Sequence, residues 1–386
     1  MKKAPRGNSK TARRTPPTRP TVAEVDLSAI SYNLKGVRKK VGASVGIMAV
    51  VKANAYGHGL QQVALFVESS LADCFGVAFP EEGLELRMAG VRKPIHVFTI
   101  AAETQLPLYS DHDLEATVSS VLDVELLDRV ARKAARLLQI HLKIDTGMNR
   151  IGVKPRDLDS VVSALAKARR LEVKGIFTHF ATADESNKQF LMHQLDEFGR
   201  AIELLRKAGV ESAHIHCANS ASIIDAPDTY FTMVRPGVMM YGYYPSRTTT
   251  ESVPLKIAMT LKTRVALVKS IAAGESVSYG RRFVATRKTQ IATIPVGYAD
   301  GYTRLLTGKA EALIGGMRFP LVGSICMDQI MVDVGAEDIR PGDEAVLIGS
   351  QKQELISAWE IAERLGTIPY EICCAISSRV PRVYVQ

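Results

Sequence analysis

The sequence predicts an α/β chain, in which an eight-stranded TIM-type (β/α)8 barrel is followed by a C-terminal, mainly β domain. Three observations carry that expectation. The chain has 386 residues with 46% hydrophobic content, enough to fill a large core and a second, smaller one. Between residues 45 and 241 short apolar runs alternate with helical patterns, the rhythm of strand–helix units repeated around a parallel sheet. Beyond residue 250 that rhythm stops and β-rich runs punctuated by glycine replace it.

The candidate barrel strands are residues 46–51, 74–79, 94–99, 116–119, 139–144, 173–178, 214–217 and 231–234. After the fourth, Leu122, Leu126, Val130, Ala134 and Leu137 recur at three- or four-residue intervals, as the buried stripe of a helix requires. The polar run SRTTTES at 246–252 reads as a linker, so the barrel is expected over 21–250 and the β domain over 251–386, with one good helix near 357–365. The strand-like TVAEVD at 21–26 is expected to pair with the later domain rather than with its sequence neighbours.

The formal charge of +9 is concentrated at one end. Residues 1–20 hold Lys2, Lys3, Arg6, Lys10, Arg13, Arg14 and Arg19 and no acid, so this Pro-, Thr- and Ser-bearing leader is expected to be disordered. The rest is near charge balance, which argues against a nucleic-acid partner for the folded part. No hydrophobic region follows Arg13-Arg14, against a twin-arginine signal. No apolar run is long enough to span a bilayer, so no membrane partner is expected and the location is read as cytoplasmic. Five scattered cysteines without a CxxC pair suggest neither a disulfide framework nor a metal, and Cys373 and Cys374 read as core thiols.

Barrels of this plan gather their chemistry on the loops that follow the strands. Lys52 ends the apolar run IMAVVK and opens a turn of small residues, ANAYGHG. A lysine there faces the barrel mouth, and partial desolvation would make its amine a nucleophile able to form an imine. Lys143, Asp145 and Arg150 leave the fifth strand together, charges that are costly to bury unpaired. His179 follows the sixth strand, where it can hold another acid–base group. Asn219-Ser220 and Arg235-Pro236-Gly237-Val238 follow the seventh and eighth, where such barrels bind phosphate through hydroxyls and helix-start amides. A guanidinium at Arg235 facing a pyridine nitrogen would oppose protonation of the ring. In the β domain Tyr279, Tyr298, Asp328 and Tyr370 sit beside glycine, proline or strand ends. A tyrosine acts as a base only when neighbouring groups favour its phenolate, and His179, Arg235 and Arg150 are candidates for that.

Together these stretches resemble the alanine racemases, bacterial pyridoxal 5'-phosphate enzymes of fold type III. The resemblance spans residues 22–385 and rests on AVVKANAYGHG (49–59), KIDTGMNRIG (143–152), THFATADE (178–185), VRPGVMMYG (234–242), VSYG (277–280), PVGYADGY (295–302) and ICMDQ (325–329). It implies an isomerase that interconverts L-alanine and D-alanine by two-base proton exchange and supplies D-alanine for peptidoglycan. Lys52 would carry the cofactor as an internal aldimine and serve one face of the substrate. Tyr279, reaching in from the partner subunit of a homodimer, would serve the other. His179 would bond that tyrosine, and Arg235 would contact His179 and the pyridine nitrogen. Tyr56, Ser220, Gly237, Val238 and Tyr370 would cradle the phosphate. Arg150 and the partner's Met327 amide would hold the substrate carboxylate. Lys143 matches a lysine that is carbamylated in many members, and Tyr298 and Asp328 match a narrow entrance. Phe98 stands where a smaller aliphatic group often abuts the cofactor ring, and Asn149 where glycine is common.

Rival readings are a basic-amino-acid decarboxylase on the same barrel, a serine or broad-specificity racemase, a non-catalytic cofactor carrier, and a nucleic-acid binder acting through the leader. The SYG tyrosine, the ICMDQ segment, Lys143 with Tyr298, and the β domain argue against the first three in turn.

Overall fold

A computed structural model describes residues 18–386. The leader's expected disorder therefore falls, for residues 1–17, outside the described residues. Eight parallel strands form the barrel: Gly46–Val50, Cys74–Val77, Ile95–Val97, Ala116–Val118, Leu138–Lys143, Leu171–Phe177, His214–His216 and Met233–Val234. They make two four-stranded parallel groups. A bridge between His96 and Glu115 joins the groups on one side, and Thr232 and Arg235 amides donating to Ile215 and Ala218 carbonyls join them on the other. Every expected strand is present, each within a few residues of its anticipated span, because alternating apolar runs are buried on both faces in such a barrel.

The helix after the fourth strand, Val121–Lys133, corrects the expected stripe. Leu122 and Leu137 are exposed, and the buried face is Val124, Leu127 and Ala131, with Leu126 and Val130 at its flank. The apolar residues of this helix cover more than one stripe, and spacing alone does not select which of them meets the core.

The second domain is built on a ten-stranded sheet. The first strand of the chain, Val22–Asp26, lies inside it, antiparallel to Met259–Arg264 and parallel to the last strand, Arg382–Val385. Among the described residues the chain thus passes from the second domain's sheet through the barrel and back. Each domain has its own core, the barrel's around Ile47, Phe75, Ile140 and Phe198, the sheet's around Leu261, Ile294, Leu313 and Leu347. Beside the expected helix, Ala358–Leu365, the domain carries a second, Pro369–Ala375. Proline at its first position suits a helix start, but seven residues are too few for a readable period. This helix corrects the reading of the paired cysteines: Cys373 is buried, whereas Cys374 is exposed and lines the barrel mouth.

Candidate active site

Lys52 follows the first barrel strand and begins an unusual turn. Ala53, Asn54, Ala55 and Tyr56 all have positive φ, between 52° and 54°, a left-handed turn made without glycine. Such a conformation costs about 1–2 kcal/mol per residue, so the surroundings must impose it. Glu82 accepts from the Ala53 and Ala78 amides at 2.6 and 2.7 Å, and Asn54 Oδ1 accepts from the Leu60 amide at 2.8 Å. The buried His58 caps the Ala55 and Tyr56 carbonyls through Nδ1 and stacks on Tyr241. The second domain closes over the turn so tightly that a Cβ on Gly57 would lie 2.2 Å from the Cys373 carbonyl oxygen. The result is a lysine whose backbone is fixed at the barrel mouth.

A cavity of about 580 Å³ opens there. Its walls bring together Lys52, Tyr56, Lys143, Arg150, His179, Ser220, Arg235, Gly237, Val238 and Tyr370, ten of the residues singled out in the sequence. Phe98 is also in the wall. Burial, and after it the nearby Arg150, pulls the Lys52 ammonium below the usual lysine range. Lys143 goes further. Burial, Arg235 and Arg150 bring it down to about 7 against the opposing pull of Asp145.

Arg235 is fully enclosed and spends its donors within the barrel, on the Thr178 and Cys217 carbonyls (2.9 and 3.0 Å), His179 Nδ1 (3.2 Å) and His216 Nδ1 (3.0 Å). Burial lowers its guanidinium to about 10, so it stays charged at neutral pH. Since arginine only donates, both imidazole nitrogens it meets are acceptors. The proton of His216 is then on Nε2, which donates to His141 Nδ1 at 2.9 Å, and His141 Nε2 donates to Glu115 at 2.9 Å. One direction of donation runs from Arg235 to a buried carboxylate. Burial, then Arg235, depresses both His216 and His179, which keeps them neutral. The proton of His179 is likewise on Nε2, and the ring lines the cavity.

Glu115, His141 and His216 were not singled out in the sequence. The only signal for them was a polar residue alternating with apolar ones inside strands, as in HLK and HIH, and that pattern does not distinguish a hydrogen-bond chain from a solvated face. Cys374 was likewise missed as a lining residue.

At the other end of the cavity the groups suit an anion without offering a cation. Ser220 Oγ accepts from the Gly237 and Met239 amides at 3.0 and 3.4 Å, and Asn219 caps the helix Ser220–Asp225. Tyr56 stacks on Tyr241 and tilts against Tyr370. Burial raises both the Tyr56 and Tyr370 phenols, which makes them donors rather than bases. A Cβ on Gly237 would lie 2.7 Å from the Tyr56 hydroxyl, so glycine keeps this cradle open. Hydroxyls and main-chain amides around a small hollow fit a phosphate, Lys52 fits an aldehyde, and Arg235 fits an unprotonated ring nitrogen.

Four expected site residues lie elsewhere. Tyr279, Met327 and Tyr298 are 71%, 52% and 40% exposed, and Asp328 is also at the surface; none lines the Lys52 cavity. They are grouped with one another. Tyr298 and Ala299 amides donate to Cys326 and Met327 carbonyls at 3.1 Å, Ser278 Oγ donates to the Ser324 carbonyl, and Ser324 Oγ to the Tyr279 carbonyl. One exposed platform of the second domain therefore carries all four.

A barrel whose mouth holds an amine of lowered basicity, an enclosed arginine and a neutral phosphate-type cradle, roofed by a β domain, has the make-up of a barrel-class enzyme site suited to a phosphate-bearing aldehyde. Sequence comparison sharpens this. Residues 25–245 match the family description "Alanine racemase, N-terminal domain" and residues 258–384 "Alanine racemase, C-terminal domain". The alanine racemase of Halothermothrix orenii is 44% identical over 368 residues, covering 95% of this chain and 97% of that protein. Among solved structures, the alanine racemase of Clostridium difficile 630 superposes with a TM-score of 0.92 at 38% identity, over 95% of this chain and 96% of that one. The alanine racemase of Bacillus anthracis with bound L-Ala-P does so with a TM-score of 0.92 at 36% identity, over 96% of each. A histidine racemase of Leuconostoc mesenteroides is also similar, with a TM-score of 0.89 at 30% identity, over 96% of this chain and 99% of that one. The chain belongs to the alanine racemase family.

Proposed function

We propose that this chain is an alanine racemase that interconverts L-alanine and D-alanine by exchanging the α proton between Lys52 and Tyr279 of the partner subunit, and that it supplies D-alanine for peptidoglycan in the cytoplasm. The observation that carries the reading is the convergence of Lys52, Arg150, His179 and Arg235 on one cavity with the phosphate-type cradle at its end. Among the described residues no helix is long and apolar enough to cross a membrane.

Pyridoxal 5'-phosphate, held through Lys52 and cradled by Tyr56, Ser220, Gly237, Val238 and Tyr370, supplies an electron sink for the pair released at the substrate's α carbon. The chain's own residues do the rest. Arg235, charged and locked by four hydrogen bonds, would face the ring nitrogen of that group and oppose its protonation, which would limit the sink. Lys52, of lowered basicity, takes or returns the α proton on one face. Tyr279 of the partner subunit does so on the other, its oxygen receiving the Nε2–H of the neutral His179. Two bases on opposite faces are the least that inversion requires, which is why a lone chain with its Tyr279 exposed is incomplete and a homodimer is expected. Arg150 orients the substrate carboxylate, with the partner's Met327 amide beside it. Tyr298 and Asp328 narrow the entrance.

Lys143 is proposed to carry a carbamate. Its amine, pulled down to about 7, is substantially unprotonated at neutral pH and attacks CO2. Forming the new N–C bond releases one proton from the neutral amine and leaves an anion able to pair with Arg150; counted from the ammonium form, two protons leave. The histidine racemase neighbour keeps a second reading in play, that the fold serves another amino acid; the entrance residues are what decide it.

The test is direct. With the vitamer bound, the protein should absorb near ~420 nm, as protonated imines of this cofactor do, and should abolish the optical rotation of L-alanine. Lys52→Ala should lose both. Tyr279→Phe should keep the band and lose turnover from L-alanine. Turnover of serine or histidine above that of alanine would move the assignment to another racemase.

A further inference from the structure

We infer that Arg19, at the junction of the basic leader and the first strand, is the clamp that positions the entrance platform that each protomer lends to its partner. The inference rests on the dimeric reading above. By composition Arg19 belonged with a solvated leader; the structure corrects that. Its guanidinium grips the Asp300 carboxylate with two bonds of 2.7 Å, one from each terminal nitrogen. The same two nitrogens also donate to the Pro295 carbonyl at 3.0 Å and the Arg379 carbonyl at 3.3 Å.

Asp300 is the reason this matters. Its side chain is wholly buried, and a buried carboxylate without a cation is costly enough to rearrange its surroundings. Burial alone would raise its carboxyl, but the bonds from Arg19 and from the Gly297 amide hold it in the ionised range. Asp300 also closes the short turn Tyr298–Asp300, accepting from the Gly297 amide at 3.1 Å, while its own carbonyl accepts from the Ser377 amide. Tyr298 and Ala299 in that turn are zipped to Cys326 and Met327, and a Cβ on Gly297 would lie 2.2 Å from the Met327 carbonyl oxygen. The two loops have no slack between them. A shift of Asp300 therefore moves Tyr298 and Met327 together.

The charge chain extends the argument to Asp328. Arg379 binds Asp328 at 2.7 Å and stands 3.5 Å from Asp300. Arg379 is partly exposed and has room to move. With Arg19 gone, Arg379 is, among the described residues, the cation left near Asp300, and it neutralises Asp300 by releasing Asp328. One substitution at the edge of the leader thus disturbs three residues of the platform, none of which Arg19 touches. Arg19 is a positioning residue; it contacts no reacting atom.

The platform serves the other subunit, so the effect should appear in trans. In holoenzyme heterodimers made with Lys52→Ala, only one site is active. When the protomer carrying Lys52→Ala also carries Arg19→Ala, the active site receives the disturbed platform, and KM for alanine should rise about tenfold with kcat changed less than about threefold. When Arg19→Ala is placed in the protomer that keeps Lys52, the active site receives an intact platform and KM should match the heterodimer without the Arg19 change. Arg19→Lys, which restores charge but not the two-pronged grip, should give an intermediate KM. Equal KM values in the two arrangements, or a rise only in the second, would overturn the inference, since loss of general stability does not depend on which protomer holds Lys52. A Lys52→Ala with Tyr279→Phe heterodimer run alongside separates the two readings. If it is inactive, the lending itself fails and the clamp with it; if it is active while the KM values are equal, only the clamp fails.

Discussion

Replacing His216 by phenylalanine isolates the hydrogen-bond chain beneath the active site from its packing. His216 lies parallel to Phe177, with centroids 5.0 Å apart and planes within 5°, and a phenyl ring can keep that stack. What it loses is two bonds, the acceptor for Arg235 at 3.0 Å and the donor to His141 at 2.9 Å. A bond to a charged group contributes about 1.5–3 kcal/mol and a newly orphaned buried acceptor costs about 1–3 kcal/mol, so the sum is about 2.5–6 kcal/mol. That is a large share of the ~5–15 kcal/mol by which a domain is stable. Urea titration followed by tryptophan fluorescence and by cofactor absorbance would read it, and the catalytic rate should fall because Arg235 loses one of four anchors. His216→Gln, which both accepts and donates, should recover part of the loss. Stability within about 0.5 kcal/mol of wild type, together with unchanged kinetics, would refute the view that this chain orients Arg235.

Three further outcomes follow from the same geometry. Gly57→Ala should destabilise by about 3 kcal/mol or more, because its φ of +83° strains any side chain and the Cys373 carbonyl cannot retreat; thermal unfolding checks it. Removing dissolved CO2 should lower activity several-fold, with bicarbonate restoring it more fully at pH 8 than at pH 6, since the Lys143 amine, at about 7, is mostly protonated at the lower pH; Lys143→Ala should be indifferent to CO2. In CO2-free buffer the same group should make stability rise between pH 7 and 10.5, the window in which the unfolded lysine still binds a proton that the folded one has released.

The barrel was legible because each strand announces itself as a short apolar run followed by a loop with polar chemistry, and the ten cavity residues were legible because they sit just past those runs or in recurring motifs. The failures have separate physical causes. The stripe Leu122–Leu137 was misjudged because the helix ends at Lys133, before Leu137, and because tertiary contact, not period, chooses which apolar edge of Val121–Lys133 is buried. The Tyr370 helix was too short to show a period. His141 and His216 are polar residues alternating with apolar ones in strands, and their meaning depends on an arginine that barrel closure brings against His216. Arg19 was hidden by its company: six other basic residues in the leader suggested a solvated charge, and its partner lies 281 positions away.

The central claim is that Lys52 of one subunit and Tyr279 of the other make one site. Mixing Lys52→Ala protein with Tyr279→Phe protein, each inactive from L-alanine alone, under conditions that exchange subunits, tests it most directly. Random pairing makes half the dimers mixed, each with one complete site of two, so about a quarter of the wild-type activity should return. If each subunit used its own tyrosine, no mixed dimer would hold a complete site, and activity would stay at zero.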